Sequence, residues 1–489
     1  MKLESSEDQS VIFAMITTSS IGLIISLLVV IVLAINLWLR SHQRRQTWTF
    51  ATSSPFVNQD EKTPLIHDRG NTVSQRNENE KNGKTAQDEA PKIVPLPDFN
   101  WKTTEPLKFR PFKPRYHITM ALQNSTPSDL IIIDNNYLSR IRYRQETLSL
   151  HADEVMGVLP EGREAVRELY TYLLGEYLPV RYPGMFRVVS GTGEDEGEET
   201  GKTFQNLITN ASFRLFPPPS DPLDCLRVIA QTVEDDFFLL LPFPCSSPPS
   251  VPSASSPASL SSPSCTSPTN PSPNSPSDTT TPNTSTQTQH YCVAFLNIHP
   301  SGFTPLSKLG LPLSQIHSPV PSYSKIGPSM ERFFSRLPTQ KLVKRVNWGI
   351  QLHSELYSPS GNHVHQEDLD SGRVAMEEVK PEDFGDTEAE EARLRVELQG
   401  CWRLRETKAV VFGFKTYLYG LKEVKGEVVD VEMEGDGKGN GGKGNTEKMK
   451  MGEALAQAIE GLGEGNAPGM WRYKGAVRWG GAVVRWLRS

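Results

Sequence analysis

The sequence predicts an α+β fold, with an antiparallel sheet and flanking helices, preceded by one transmembrane helix. Residues 394–398 and 410–418 alternate between apolar and polar side chains, which is the pattern of half-buried strands. Residues 163–178 carry apolar side chains at helical spacing. Residues 11–39 carry no charge and exceed the roughly 20 residues that a helix needs to cross a bilayer.

The uncharged segment 11–39 is predicted to be a membrane anchor and not a cleaved signal peptide. An acidic stretch precedes it, and no small-residue cleavage site follows. Because Arg40, Arg44 and Arg45 come directly after it, the positive-inside rule places the rest of the chain in the cytosol and residues 1–10 on the other side. The expected location is therefore that of a single-pass protein, anchored in membrane lipid, with a cytosolic domain.

Composition divides the remaining chain into a tether and one globular domain. Residues 40–105 are mainly polar and are expected to form a disordered tether. Residues 106–489 are expected to form the domain, with disordered insertions at about 244–289, 354–391 and 427–448. The first insertion is almost entirely Ser, Pro, Thr and Asn, so it cannot bury enough apolar surface to fold by itself.

Further segments of the domain are predicted to form regular structure from their periodicity and their bounding prolines and glycines. Helices are predicted at residues 146–158, 163–178, 222–232, 329–337, 450–462 and 474–487. Strands are predicted at residues 237–241, 291–298, 346–352, 394–398 and 410–418. The first two strands should form a hairpin around the Ser/Pro-rich insertion, and the last two should form a second hairpin.

Charge and cysteine content exclude several function classes. The net charge is −6 and the basic residues are dispersed, which argues against nucleic acid as a partner. None of the five cysteines forms a CxxC pair, so the spacing fits neither a zinc site nor covalent haem attachment. Residues 437–444 approach a phosphate-binding loop, but Gly444 stands where Ser or Thr would bind magnesium. Without a dinucleotide-binding glycine motif, redox chemistry would need electrons from outside the chain.

His317 is the histidine in the most constrained setting. It follows an apolar run, and Pro319 and Pro321 come within the next four residues. Each proline restricts its own φ and the conformation of the residue before it, so His317 should lie on a stiff, non-helical connection. An imidazole on a rigid support suits an axial metal ligand. From spacing alone, a loop histidine that hydrogen-bonds the backbone is the commoner alternative.

Eleven short blocks together resemble the haem-dependent oxidative N-demethylase family. They lie at residues 113–122, 133–137, 151–157, 181–183, 233–240, 316–323, 329–334, 345–348, 394–397, 414–418 and 473–475. Their order and number are more specific than any single block. The resemblance covers residues 106–487 and does not extend to the N-terminal region.

The resemblance implies a PAS-like haem-binding domain with His317 as the metal ligand. The cofactor would be haem b, with its iron held by His317 and without a covalent bond to the chain. The implied reaction is the demethylation of a small secondary amine with oxygen, which releases formaldehyde. A reductase or a ferredoxin would supply the electrons.

Four other residues in or near the matching blocks are candidate haem contacts. Tyr323, Arg332 and Arg345 could bind the propionates, although ordinary salt bridges or surface contacts are commoner for arginine. Trp348 could pack on the porphyrin, although a tryptophan in the protein core is the usual case.

Asp236 and Glu154 are candidate catalytic carboxylates, because a carboxylate could hold a cationic amine by charge-assisted hydrogen bonds. Solvated positions are the alternative for both. His151 is the reserve axial ligand. A non-catalytic haem or ligand sensor, and an interaction protein that has lost the pocket, remain alternative functions.

Overall fold

A seven-stranded antiparallel sheet is the largest sheet of the fold. This computed structural model describes residues 92–190, 201–250, 288–339, 341–364, 378–432 and 446–489. In chain order the strands are β1 (Gln123–Ser125), β2 (Met156–Val158), β3 (Phe186–Ser190), β4 (Lys202–Asn206), β5 (Ala211–Phe216), β6 (Asp236–Pro244), β7 (Thr288–Leu296), β8 (Leu342–Gln351), β9 (Arg393–Arg403), β10 (Val410–Gly420), β11 (Val428–Glu432) and β12 (Thr446–Lys450).

The large sheet has the strand order β1-β8-β9-β10-β6-β7-β2, and every neighbouring pair is antiparallel. β9 and β10 form its centre and pair from Arg393 with Gly420 to Arg403 with Val410. β3, β4 and β5 form a second antiparallel sheet, and β11 pairs with β12.

Helices flank the large sheet. They are α1 (Tyr137–Val155), α2 (Arg163–Thr171), α3 (Leu178–Arg181), α4 (Pro222–Ala230), α5 (Leu313–Ile316), α6 (Gly327–Arg336), α7 (Asp386–Glu391), α8 (Leu421–Gly426), α9 (Met451–Glu460), α10 (Met470–Tyr473) and α11 (Ala476–Arg488). A π-helical stretch, Tyr172–Tyr177, joins α2 to α3. Asp221 begins α4 by accepting a hydrogen bond from the Leu223 amide, which is the usual role of aspartate at a helix N-terminus.

Three apolar clusters hold these layers together. The largest contains the apolar faces of α1, α2 and α4 and the inner residues of β3–β5. The second packs α9 and α11 against β8, β9 and β10. The third lies beneath α5 and α6 and contains Leu240, Cys292 and Cys401. Ile93, Leu96, Phe99 and Trp101 also pack on the first cluster, upstream of residue 106.

The α+β architecture and both predicted hairpins agree with the sequence. β6 pairs with β7, and β9 pairs with β10. The helix predicted at 146–158 instead starts at Tyr137 and ends at Val155, because residues 156–158 form β2 and pair with β7. The sheet formed by β3–β5 was not predicted. The expectation of a PAS-like fold stays a prediction.

Parts of the predicted insertions lie within the described fold. β11 and β12 belong to the segment predicted as an insertion at 427–448, and α7 to the one at 354–391. The central part of the Ser/Pro-rich insertion, residues 251–287, and most of the predicted tether lie outside the described residues.

The predicted membrane-spanning fold needs correction. None of the helices that the structure describes combines the length and apolar character required to cross a bilayer. The segment predicted to do so, residues 11–39, lies outside the described residues. We therefore correct the predicted fold class and the predicted single-pass location, since no described helix supports either one.

The buried ion pair between Arg144 and Asp236 provides a test of how the layers are joined. Arg144 Nη1 lies 2.7 Å from Asp236 Oδ1, and both side chains are buried. Replacing Arg144 by Ala should lower the free energy of unfolding by about 3–5 kcal/mol, because Asp236 would remain buried without its cation. Urea unfolding followed by circular dichroism measures this loss.

Arg405→Ala is the matched control. Arg405 and Glu176 are 3.2 Å apart but exposed, so losing that pair should cost less than about 1 kcal/mol. Equal losses in the two variants would contradict a special role for the buried pair.

Candidate haem pocket

One face of the large sheet forms the floor of a cavity of about 730 Å³. Because side chains alternate across a strand, Arg395, Glu397, Gln399 and Cys401 all face this cavity from β9. The residues between them belong largely to the apolar clusters on the other side. This volume lies in the range of about 300–1,000 Å³ that is typical of ligand and cofactor sites.

The cavity has an apolar end and a polar end. Leu240, Val343, Cys401 and Phe412 line the apolar end and belong to the cluster beneath α5 and α6. Arg395 lies six residues along β9 from Cys401, a distance of about 20 Å in an extended strand. A site of this length has room for a planar cofactor and a small second molecule.

Two hydrogen bonds to one carbonyl fix the position of His317 in the lining of this cavity. His317 ends the one-turn helix α5, and its backbone N–H donates to the Leu313 carbonyl at 3.1 Å. Its Nδ1 lies 2.9 Å from the same oxygen. Since a carbonyl can only accept, Nδ1 must carry the proton, and in the neutral ring Nε2 keeps its lone pair.

The other ring nitrogen of His317 is available to a ligand. Within the described part of the chain, Nε2 has no hydrogen-bond partner. The ring stacks on Tyr323, with centroids 4.8 Å apart and planes 5° from parallel. Burial lowers the pKa of His317 to about 4, so the imidazole is neutral near pH 7. A neutral, oriented imidazole with one free lone pair is the form that ligates a metal.

The turns after His317 explain its rigidity. The Val320 amide donates to the His317 carbonyl at 2.9 Å, and the Tyr323 amide donates to the Val320 carbonyl at 3.2 Å. Ser322 between them adopts a left-handed conformation, with φ 60°. The predicted non-helical connection is therefore a series of tight turns that starts at the end of a short helix.

Arg345 and Lys308 bring positive charge to the cavity lining. Arg345 Nε donates to Gln399 Oε1 at 2.6 Å, and no carboxylate among the described residues forms a salt bridge with it. Lys308 Nζ lies 5.7 Å from the centre of the Phe303 ring and has no acceptor in the described ranges. Burial lowers the pKa of Lys308. Both cations could therefore donate hydrogen bonds to the carboxylates of a bound group.

Trp348 lines the cavity and is nearly buried. Phe112 packs against it edge to face, with ring centroids 5.7 Å apart. The Lys474 ammonium lies 5.6 Å from the indole centre and donates to Asn347 Oδ1 and to the Trp348 carbonyl. Burial lowers the pKa of Lys474 to about 8.

The structure thus brings four of the predicted site residues together, namely His317, Tyr323, Arg345 and Trp348. Arg332 is exposed, and its guanidinium donates to Ser329 Oγ at 2.8 Å. It does not line the cavity.

The two predicted catalytic carboxylates also lie outside the cavity lining. Glu154 is exposed and accepts a hydrogen bond from the Tyr357 hydroxyl at 2.6 Å. Asp236 is buried, and its oxygens accept from Arg144 at 2.7 Å and from the amides of Ile298 and His299 at 3.0 and 2.8 Å. The carboxylate of Asp236 therefore positions the segment after β7.

His151, the reserve ligand, is likewise not part of the cavity lining. Its ring stacks on Tyr357 at a centroid distance of 4.4 Å. Its Nδ1 lies 3.8 Å from Glu154 Oε1.

Several lining residues were not predicted. Phe238, Phe303, Phe412 and Phe414 form an aromatic wall of neighbouring rings along the cavity. Asn297, His299, Arg395 and Glu397 line the polar end. The alternation of residues 394–399 is visible in the sequence, but it does not reveal that the polar face is turned inward.

These features define a candidate cofactor pocket, in which a hydrogen bond from Nδ1 orients the ring of His317. In the described ranges, no group of three or more His, Cys, Asp or Glu side chains is placed to hold a metal ion. The family model for the haem-dependent oxidative N-demethylase, alpha subunit-like proteins matches residues 121–268 and 272–433. The chain belongs to this family, as the resemblance indicated, and the family indicates a haem-dependent, oxidative demethylase-like protein.

The pKa of His317 predicts a pH dependence of stability. In the unfolded chain the ring takes up a proton near its ordinary pKa of 6.5, whereas the folded ring does so only near pH 4. Protons therefore favour the unfolded chain as the pH falls through this interval, and the residue has no such effect above it. His317→Gln should reduce the loss of stability over the interval by up to about 3 kcal/mol.

Urea unfolding of the haem-free protein across this pH interval measures the effect. The same pH dependence in the variant and in the parent would contradict a partly buried, neutral His317.

Proposed function

We propose that the cavity binds haem b without a covalent bond and that Nε2 of His317 is the axial ligand. We further propose that the protein uses this cofactor to remove a methyl group from a small secondary amine. The observation that supports this most strongly is the His317 ring itself. Its Nδ1 is anchored on a buried carbonyl, and its Nε2 lies free in a cavity of about 730 Å³.

The remaining lining fits the same cofactor. Arg345 and Lys308 would hold the propionates, since each is a cation without a carboxylate partner among the described residues. Tyr323 supports the imidazole plane from behind by stacking. Trp348 would offer an apolar surface to the porphyrin. The absence of CxxC pairs in the sequence is consistent with non-covalent binding.

When bound, the haem would supply the oxygen chemistry, and the chain would supply orientation and electrostatics. The overall reaction would consume one secondary amine, one O₂, two electrons and two protons. It would yield the demethylated amine, formaldehyde and one water. The electrons would come from a separate reductase or ferredoxin, because the sequence contains no dinucleotide-binding glycine motif.

The aromatic wall and Glu397 would orient the amine. The faces of Phe238, Phe412 and Phe414 can attract the methyl groups of an alkylammonium ion through cation–π contact. Glu397 supplies a carboxylate in the cavity lining, and its Oε2 accepts from Gln399 at 2.9 Å. It would therefore bind the amine N–H, the role that the sequence suggested for Asp236 or Glu154.

Haem ligation is tested by the absorption spectrum of protein produced with ample haem. The parent should show a Soret band, and His317→Ala should lose most of it, because the substitution removes the proposed ligand nitrogen. His151→Ala should keep the band, since His151 lies outside the cavity lining. Loss of the band in His151→Ala and not in His317→Ala would assign the ligand to His151.

Demethylation is tested by oxygen uptake with a chemical or enzymatic electron donor and dimethylamine as substrate. We expect amine-dependent oxygen uptake with one formaldehyde released per amine consumed. A haem-loaded protein whose spectrum responds to the amine without turnover would instead be a sensor. Colourless protein would contradict both functions.

A further inference from the structure

The polar end of the cavity contains a buried amide without partners. Asn297 is fully buried and lines the cavity. Neither its Oδ1 nor its Nδ2 has a hydrogen-bond partner among the residues that the structure describes. Buried polar side chains are normally hydrogen-bonded, so an amide with an unused donor and an unused acceptor points to a bound molecule.

His299, two residues further on, has the same property. Its ring is buried and lines the cavity, and both nitrogens lack a hydrogen-bond partner in the described part of the chain. Nδ1 lies 3.9 Å from Asp236 Oδ2, which is beyond hydrogen-bond distance. That oxygen is already engaged by the backbone N–H of His299 at 2.8 Å. The backbone of His299 is therefore held in place, while both ring nitrogens remain unpaired among the described residues.

Positive charge surrounds these two side chains. Arg395 Nη2 donates to the His299 carbonyl at 2.6 Å, and its Nε has no hydrogen-bond partner among the described residues. Burial lowers the pKa of His299 well below its ordinary value, and the guanidinium groups of Arg144, Arg140 and Arg395 lower it further. A neutral ring in a positive field favours an electron-rich ligand atom over a second cation.

Glu397 adds a carboxylate of the cavity lining to this region, whereas the nearby Asp236 is already paired with Arg144. Glu397 Oε1 is 3.6 Å from Arg395 Nε, and Glu397 lines the same cavity. The polar end thus offers donors for an anion beside an acceptor for a cation. A molecule that carries an ammonium group and a carboxylate on neighbouring atoms matches this arrangement.

We propose that the polar end of the cavity is a carboxylate subsite and that the amine oxidised is an N-methylated α-amino acid. Asn297 and His299 donate to the substrate carboxylate, and Arg395 supplies the compensating charge. Glu397 accepts from the secondary ammonium group, and the N-methyl group lies toward the aromatic wall. This inference rests on the proposed function, because it names the substrate class of the same site.

The competing occupant is ordered water, which satisfies buried polar groups in many proteins. Water would fill the polar end equally well whichever amine is bound. A carboxylate subsite, in contrast, discriminates between amines, because a ligand without the carboxylate leaves the buried donors unpaired.

Calorimetric titration of the full-length protein with N-methylglycine and with dimethylamine tests the proposal. The two probes share the methylated secondary amine and differ in the carboxylate. We expect N-methylglycine to bind roughly 10-fold more tightly or better. Equal affinity, or tighter binding of dimethylamine, would overturn the subsite and indicate water at the polar end.

Two exchanges at one position serve as a matched pair. His299→Phe removes the donor and acceptor and should abolish the preference for N-methylglycine while dimethylamine still binds. His299→Gln keeps a donor and an acceptor and should retain most of the preference. If His299→Phe keeps the full preference, His299 has no part in recognition and the proposal is wrong.

The thermal unfolding temperature of each variant shows whether it is folded. Asn297→Leu provides a second measurement if His299→Phe does not fold, and it should lose the same preference. Failure of the proposed function would give a different result. The protein would then show no Soret band and would turn over neither amine, whichever of the two it binds more tightly.

Discussion

The ion pair between Arg144 and Asp236 joins the helical layer to the sheet and to the cavity lining. Arg144 extends from α1 and donates to the carbonyls of Ala230, Glu234 and Asp235 as well as to Asp236. Asp236, at the start of β6, then accepts from the amides of Ile298 and His299. A buried pair offsets its desolvation only when further hydrogen bonds satisfy both groups, and this pair meets that condition. Its consequence is a fixed course for the segment that carries Asn297 and His299.

The cavity lining differs from this ion pair, because several of its polar groups have no hydrogen-bond partner among the described residues. His317 Nε2 and the polar atoms of Asn297 and His299 lack hydrogen-bond partners among the described residues. Protein interiors seldom leave such groups unpaired. Both sets belong to the lining of one cavity. We propose that the cofactor binds at its apolar end and the polar part of the substrate at its polar end.

Burial explains why the histidine rings of the site are uncharged, whereas the arginine side chains near them keep their charge. Desolvation lowers the pKa of both His317 and His299, so near pH 7 a proton does not compete with a metal or a ligand for the ring nitrogens. The cations in the lining include arginines, which resist deprotonation, and Lys308 and Lys474, whose pKa values burial lowers. Anionic groups of a cofactor or a substrate are the partners that such a lining favours.

The sequence by itself determined the α+β class, both central hairpins, the helix that starts near residue 163 and the constrained backbone around His317. These depend on local periodicity, on turn residues and on a short motif whose geometry is set by its own prolines. Tertiary structure alone decided that β2 ends α1, that β3–β5 form a separate sheet, and that the polar face of β9 points inward. The sequence of a strand shows that apolar and polar side chains alternate, but it does not show which face of the sheet is buried. The residues that cover this face, here 299–334, lie far away in sequence. For the same reason Arg332 and Glu154 could not be separated from Arg345 and Glu397 before the fold was known.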